Sequence, residues 1–188
     1  MRVTNLFVKN RHGEPLQSVP TMRHDPRGIC GNVACAPFRQ VLIVSEPVTA
    51  SLGLKPGDLR ENVVVDFGGL YDLPSGSVVK IGDALIRLTF HCEPCKQILG
   101  LVEFDRVEHK RGVLGCFLNE GAISVGDEFF VTDQLYEAIP YAMNERLQWF
   151  LKHHDMPSAA LDVIHKIGLP ASFAKIMPRM LQRHFLRS

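Results

Sequence analysis

The sequence lacks the features that direct a chain to a membrane or to export. Its start, MRVTNLFVKNRHGEP, has neither an apolar core nor a small-residue cleavage site, so no secretory signal is expected. No apolar run approaches the ~18 residues that a membrane-spanning helix needs. A net charge of +1 over 188 residues gives no overall field that favours nucleic acid or an anionic membrane. We therefore expect a soluble, cytoplasmic protein with no membrane partner.

Cysteine is present, but in an odd number, which argues against a complete disulfide framework. In a cytoplasmic protein the thiols are mostly kept reduced. Each cysteine is then a packed side chain, a reactive thiol or a metal ligand. The five cysteines are Cys30, Cys35, Cys92, Cys95 and Cys116.

Residues 1–132 have the pattern of a mainly β domain. Short apolar segments alternate with turn residues such as Gly68-Gly69 and Gly82-Asp83. Many short strands between Gly-bearing turns are typical of a sandwich or a barrel. The predicted strands are VTNLFV (3–8), VLIV (41–44), ENVVVDF (61–67), SVVKI (77–81), ALIRLTFH (84–91), GVLGCFL (112–118) and EFFVT (128–132).

Beyond the last predicted strand the apolar period becomes that of a helix. Residues 133–140 are predicted to be a linker, and residues 141–188 a unit of three short helices. Ser158 is the expected N-cap of the second helix, which Gly168 would end. Pro178 is expected to kink or split the third helix, because proline disrupts a helix interior.

The segment FHCEPCKQI (90–98) places two cysteines three positions apart after a predicted strand. A redox dithiol would use both, but that chemistry needs a βαβ context, which this β-rich region does not offer. A zinc site would need two more ligands, which Cys30 and Cys35 could supply. The remaining alternatives are one reactive thiol, or two inert and half-buried thiols.

Of the two thiols, Cys95 has the setting that better favours a thiolate. Pro94 suits the first position of a helix, so Cys95 would lie in the first turn. Free backbone N–H groups and the helix dipole stabilise negative charge there. Lys96 adds a neighbouring cation, whereas Glu93 opposes the thiolate. His91, at the end of the predicted strand, is expected to be a half-buried and satisfied ring.

Several short motifs follow one another along the chain. Each motif alone is a weak signal, but their order as a set is a specific signal of a protein family. They are GICGN (28–32), RQV (39–41), LKPGDLRENVVVD (54–66), LPSGSVVKIGDALIRLT (73–89), FHCEPCKQI (90–98) and EGAISVGDEF (120–129). This order resembles the MOSC family, named after the C-terminal domain of molybdenum cofactor sulfurase. The resemblance covers about residues 1–132 and implies a MOSC-type β-barrel, followed here by a small α-helical unit. The family's early Gly-Asp and the His that follows are replaced by Gly31-Asn32-Val33-Ala34-Cys35, without the acid and the His.

The resemblance implies that Cys95 handles sulfur or ligates molybdenum. Arg60 and Asn62 match an Arg-x-Asn stretch that contacts the molybdenum cofactor (molybdopterin) in the molybdenum-binding branch. Other members are proposed to carry a persulfide received from a PLP-dependent cysteine desulfurase. The residues indicate no PLP site, and 188 residues leave no room for a desulfurase domain. A desulfurase or a redox partner would therefore be a separate protein.

These residue types suit either form of the chemistry. A guanidinium such as that of Arg60 can donate two hydrogen bonds to a phosphate, and the Asn62 amide can donate to and accept from a pterin edge. Arg39, Lys96 and Arg111 are further candidates for anion contacts. The alternative for Arg60 is a surface ion pair with a neighbouring carboxylate, and for Asn62 a turn or strand-edge cap.

A different class of function rests on the predicted helical unit, residues 141–188, which has a net charge of +4. A short helix, a glycine turn and a further helix can form a helix-turn-helix, so this unit could contact nucleic acid or a protein partner while the barrel is only a scaffold. Charge of this size is also common on a solvated helical face. The basic residues are Arg146, Lys152, Lys166, Lys175, Arg179, Arg183 and Arg187, and the acidic ones are Glu145, Asp155 and Asp162.

Overall fold

A computed structural model of the chain describes residues 1–11, 13–33, 36–153, 160–169 and 171–185. Most of the elements before residue 136 are strands, as the sequence predicts. The strands are β1 (Val3–Val8), β2 (Gln17–Ser18), β3 (Thr21–Asp25), β4 (Gly28–Ile29), β5 (Val41–Ser45), β6 (Val63–Val65), β7 (Ser77–Ile81), β8 (Ala84–His91), β9 (Val113–Phe117), β10 (Gly121–Ser124) and β11 (Phe129–Leu135). The α-helices are α1 (Glu46–Ser51), α2 (Phe104–Val107), α3 (Met143–His153), α4 (Ala160–Lys166) and α5 (Met177–Phe185). Short 3₁₀ helices occupy Gly68–Asp72, Lys96–Ile98 and Ala171–Lys175.

The strands form one large sheet that curls into a half-barrel, and a small second sheet. The large sheet has eight strands in the order β11-β7-β8-β9-β5-β6-β1-β2. Its β5 and β6 are parallel, and its other neighbours are antiparallel. The smaller sheet has the order β10-β3-β4. The prediction of a mainly β, MOSC-type barrel is confirmed.

The centre of the large sheet is buried on both faces, because side chains alternate along a strand. In β5, Val41 and Ile43 belong to the core inside the curled sheet. Leu42 and Val44 belong to a second core on the outer face. This two-sided burial explains why VLIV is a continuous apolar run rather than an alternating one.

The helical unit has a core of its own and also packs on the outer face of the sheet. Trp149 of α3 contacts both the outer-face core and the core of the helical unit. Within the described residues, no helix has the length and apolar character needed to cross a bilayer. The side chains buried in the core of the helical unit are Leu147, Phe150, Val163, Ile164, Ile167, Leu169 and Met177.

The structure refines several predictions about the helical unit. The predicted third helix is split into the 3₁₀ helix Ala171–Lys175 and α5. Pro178 does not kink α5, because it is the second residue of that helix, where its missing N–H leaves no partner unsatisfied. The second helix, α4, ends at Lys166, and Gly168 follows with a φ of +68°. The predicted N-cap Ser158 lies outside the described residues. Strand β11 runs to Leu135, past the predicted end of the barrel at residue 132. The division of the chain into a barrel domain and a separate helical unit stays a prediction.

The predicted helix at Pro94 is wrong in length and in position. Only Lys96–Ile98 form a 3₁₀ helix, and Cys95 is its N-cap residue with an extended backbone. Leu99 is also extended, and Gly100 follows with a φ of +87°, so the helix cannot continue. A turn of this length lacks the aligned peptide dipoles of a long helix, so the charge around Cys95 must come from side chains.

We predict that Gly76→Ala reduces the free energy of unfolding by about 1–3 kcal/mol. Gly76 precedes β7 with a φ of +94°, and an added Cβ would collide with the carbonyl oxygen of Tyr136. The clash cannot relax cheaply, because the Tyr136 amide donates to the Gly76 carbonyl at 2.8 Å. The matched control is Gly68→Ala, whose Cβ would have no atom within 4 Å. Equal urea midpoints for the two variants would contradict this prediction.

Candidate functional site

Cys95 lies on the wall of a cavity of about 800 Å³ between the barrel and the helical unit. The barrel side carries the positive charge, and the helical side is mainly apolar. Two separate parts of the chain are therefore needed to form this cavity. The barrel side consists of Arg39, Glu93, Pro94, Cys95, Lys96, Gln97, Phe104 and Arg111, and the other side of Tyr141, Ala142, Met143, Leu169 and Phe173.

The two cysteines of the CEPC segment have different environments. Cys95 is half-buried, and none of the described residues hydrogen-bonds its sulfur. Cys92 is 3% exposed and packs in the outer-face core. Burial raises the pKa of the Cys92 thiol, and the nearby Arg111 and Arg39 offset that effect only in part. Of these two thiols, only Cys95 lines the cavity.

Arg111 connects the buried thiol to the cavity. Its Nη1 donates to Cys92 Sγ at 2.9 Å and also to the backbone carbonyl of Glu93. The side chain is 6% exposed, and its buried Nε has no hydrogen-bond partner among the described residues. Arg111 is nevertheless one of the residues that line the cavity, so its positive charge lies at the wall that also carries Cys95.

Glu93 joins the barrel to the helical unit through two arginines, an arrangement that we call the Glu93 clamp (Arg39, Glu93 and Arg146). Arg39 Nη1 donates to Glu93 Oε2 at 2.8 Å, and Arg146 Nη2 of α3 donates to Oε1 at 3.0 Å. Burial by itself raises the pKa of Glu93, but the two guanidinium groups outweigh it and lower the pKa overall. Glu93 therefore stays ionised and holds both cations in place.

Arg146 is a fully buried side chain that anchors α3. Its Nε donates to the carbonyl of Pro140 at 3.0 Å, and its guanidinium lies 3.6 Å from the centre of the Phe90 ring. Its sequence position alone places it only among the basic residues of the helical unit. A signal was present, however: Arg146 falls at helical spacing between Met143 and Phe150, so it is a charged residue on the apolar face of its helix.

The predicted cofactor contacts divide into two groups. Arg39 and Lys96 line the Cys95 cavity, where Arg39 is held by the clamp and also donates to the Gly168 carbonyl at 3.0 Å. Lys96 is exposed and forms no ion pair with any described residue. Arg60 and Asn62 are not among the residues that line this cavity.

Asn62 has a structural role at the start of β6, in line with the strand-edge alternative that the sequence offered. Its Oδ1 accepts from the Leu42 amide at 3.1 Å, and its Nδ2 donates to the Phe7 carbonyl at 3.2 Å. The side chain thus bridges two segments that flank β6. Arg60 has a left-handed φ of +62° and no ion pair with a described carboxylate. A cofactor contact by Arg60 or Asn62 stays a prediction to which the Cys95 cavity lends no support.

The four-cysteine zinc site gains no support either. Cys30 is exposed and lines a different cavity, of about 370 Å³. Cys35 lies outside the described residues. In the part of the chain that the structure describes, no group of three or more His, Cys, Asp or Glu side chains could hold a metal ion.

His91 is half-buried, as expected, and has an unexpected partner. Its Nδ1 lies 3.3 Å from Nδ1 of His109, an exposed residue after α2. Burial, and secondarily the nearby His109, lower the pKa of His91. Tyr141 packs against His109 with a distance of 4.4 Å between ring centres, and it lines both the Cys95 cavity and a smaller cavity at the two histidines.

We predict that Arg146→Ala lowers the free energy of unfolding by about 3–5 kcal/mol, the usual effect of breaking a buried ion pair. The substitution also leaves the carbonyl of Pro140 without its guanidinium donor. The matched control is Arg179→Ala, which removes an exposed arginine of α5 and should change stability by less than about 0.5 kcal/mol. Urea unfolding measures both, and similar losses would contradict the anchoring role of Arg146.

We predict that the stability difference between the wild type and Glu93→Gln depends on pH. Folding lowers the pKa of Glu93. The stabilisation that its charge gives is therefore complete at pH values above the pKa of this carboxyl in the unfolded chain, and it is lost as the pH falls through the lower pKa in the folded protein. The free energies of unfolding of the two proteins should therefore differ at neutral pH and become similar in acid. Exposed Glu103→Gln is the control. A pH-independent difference would show that the Glu93 charge is not what stabilises the fold.

Comparison with solved structures shows that this fold is known. The YuaD protein from Bacillus subtilis has a TM-score of 0.62 at 19% identity, covering 72% of this chain and 96% of its own. YiiM from Geobacillus stearothermophilus has a TM-score of 0.56 at 15% identity, covering 96% of this chain and 98% of its own. At these identities the likeness is one of fold alone.

A search of curated proteins gave no match to the sequence. The family model described as MOSC domain, in contrast, matches residues 31–130, which include the LKPGDLRENVVVD stretch (54–66), Cys95 and β10. This match spans more than half of the chain and agrees with the half-barrel described above. The chain therefore belongs to the MOSC domain family.

Proposed function

We propose that this chain binds a molybdenum-containing pterin cofactor in the Cys95 cavity, with the Cys95 thiolate as a ligand of the metal. One observation carries the proposal: a half-buried thiol opens into a large cavity whose barrel side also carries three cationic side chains, Arg39, Lys96 and Arg111. The MOSC family is associated with molybdenum cofactor binding and with sulfur transfer.

The residues of the cavity fit such a group. A soft thiolate suits molybdenum better than an oxygen ligand does, in line with the general preference of soft metals for sulfur. The cavity volume of about 800 Å³ lies within the range of ligand pockets, roughly 300–1,000 Å³. The cationic side chains of Lys96 and Arg111, which both line the cavity, would bind the anionic oxygens of the cofactor.

Each wall of the cavity would have its own task. Cys95 would hold the metal through its sulfur, and Lys96 and Arg111 would bind the anionic end of the cofactor. The side chains of Met143, Leu169 and Phe173 cover the opposite wall and limit access of water. When bound, the cofactor supplies two-electron redox chemistry at the metal, and the protein supplies its orientation.

Sulfur transfer is the second candidate, favoured by the accessibility of Cys95 and by the absence of a hydrogen bond from any described residue to its sulfur. In that reaction the Cys95 thiolate attacks the terminal sulfur of a donor persulfide. The sulfur–sulfur bond of the donor breaks, and the donor leaves as a thiolate. A PLP-dependent cysteine desulfurase is the proposed donor. A single sulfur atom does not need a cavity of this size, which is why cofactor binding is preferred.

The +4 charge of the helical unit overstates the number of cations that are available to bind nucleic acid. Arg146 is buried in the Glu93 clamp, and Lys166 has its ammonium group 5.9 Å from the centre of the Phe150 ring. Electrostatic binding to nucleic acid depends on cations that can reach phosphates. Retention on DNA that weakens steeply with salt would nevertheless restore this alternative.

The test is to purify the protein from a host that makes molybdenum cofactor and to measure bound metals and cyanolysable sulfur. We expect molybdenum near one equivalent in the wild type and in Cys30→Ser, and its loss in Cys95→Ser. Cys30→Ser is the matched control, because it removes an exposed thiol from a different cavity. Labile sulfur that depends on Cys95, without molybdenum, would establish the sulfur carrier instead. Neither signal in the wild type would overturn both.

A further inference from the structure

The histidine pair at the end of β8 has no part in the proposed function and carries an inference of its own. His91 and His109 line a cavity of about 270 Å³ on the other side of Tyr141 from Cys95. Their Nδ1 atoms are 3.3 Å apart. Both nitrogens therefore lie close enough to share one small ion, and their residues line a cavity that can hold it.

The distance between the two nitrogens matches that of two ligands on one metal ion. Imidazole nitrogens bind zinc at about 2.0–2.1 Å, so two of them at a tetrahedral angle are about 3.3–3.4 Å apart. Without an ion the two nitrogens form a hydrogen bond, so one of them carries a proton that moves to its Nε2 or to solvent when an ion enters. The pair is thus spaced as one edge of a tetrahedral site, and an ion can enter without moving either ring far.

The structure also holds both rings in place. His109 has a φ of +58°, which is uncommon for any residue other than glycine and which brings its ring against His91. Such backbone strain persists where its surroundings enforce it, often at functional sites. His91 has the edge of Tyr71 at 6.0 Å between ring centres, and His109 has Tyr141 at 4.4 Å. This support reduces the reorganisation that binding would require.

We propose that His91 Nδ1 and His109 Nδ1 bind a divalent transition-metal ion of the zinc class. Imidazole ligands suit zinc, copper and nickel, and the remaining proton of each ring would lie on Nε2. Among the described residues no third His, Cys, Asp or Glu completes the site, so water or an external ligand fills the other positions. The exposure of His109 gives the ion access from solvent.

The experiment is a titration of the metal-free, untagged protein with Zn²⁺ by calorimetry, repeated with Co²⁺ by absorbance. The variants are His91→Ala and His109→Gly, and glycine keeps the left-handed backbone at position 109. The matched control is His165→Ala, which removes an exposed histidine of α4. All proteins carry Cys30→Ser, Cys35→Ser and Cys95→Ser, so these thiols cannot bind the ion.

We expect one Zn²⁺ site per chain. Loss of an outer-shell partner of a metal ligand lowers affinity by about 10–100-fold, and loss of a ligand itself in His91→Ala or His109→Gly should lower the Zn²⁺ affinity by at least as much. The Zn²⁺ affinity of His165→Ala should be unchanged. The Co²⁺ spectrum should show nitrogen and oxygen ligation without a thiolate band. Unaltered affinity in His109→Gly, a thiolate band, or no Zn²⁺ binding by the parent protein would overturn the proposal. Because Cys95 is absent from every sample, the outcome is separate from that of the molybdenum test.

Discussion

The Glu93 carboxylate accepts hydrogen bonds from Arg39 of the barrel and from Arg146 of the helical unit, and the site depends on this double contact. Breaking it would leave Arg146 as an unpaired and fully buried cation. Glu93 lies two residues before Cys95, so the group that joins the two parts of the molecule also positions the thiol segment. The cavity exists only because the helical unit is held against the barrel at this point.

Electrostatics then distinguish two thiols that are chemically identical in the sequence. Cys92 enters the outer-face core, where burial opposes its ionisation even though Arg111 is 2.9 Å away. Cys95 remains half-buried at the wall of the cavity, which Lys96 and Arg111 also line. Cationic side chains, not a helix dipole, create the positive surroundings of the cavity.

The longer apolar strands of the barrel could be predicted from local sequence patterns, whereas its short polar strands could not. Strands β1, β5, β7 and β8 appear where the apolar runs and glycine turns place them, because continuous or alternating apolar residues favour extended segments. Strand β3, with the sequence TMRHD, is short and mostly polar, and its pairing with β10 comes from distant residues. Local propensity carries no information about such long-range partners.

The amino-acid sequence is enough to identify a mainly β protein of the MOSC family with a helical C-terminal part and to single out Cys95 as its candidate thiol. Those conclusions need only local periodicity and the order of motifs. Tertiary structure decided which cations reach Cys95: Arg39, Lys96 and Arg111 line its cavity, whereas Asn62 bridges the barrel backbone. It also decided that Arg146 is an anchor and that His91 meets His109. These contacts join residues far apart in the chain, and only the packing of the helical unit and the curl of the sheet bring them within reach.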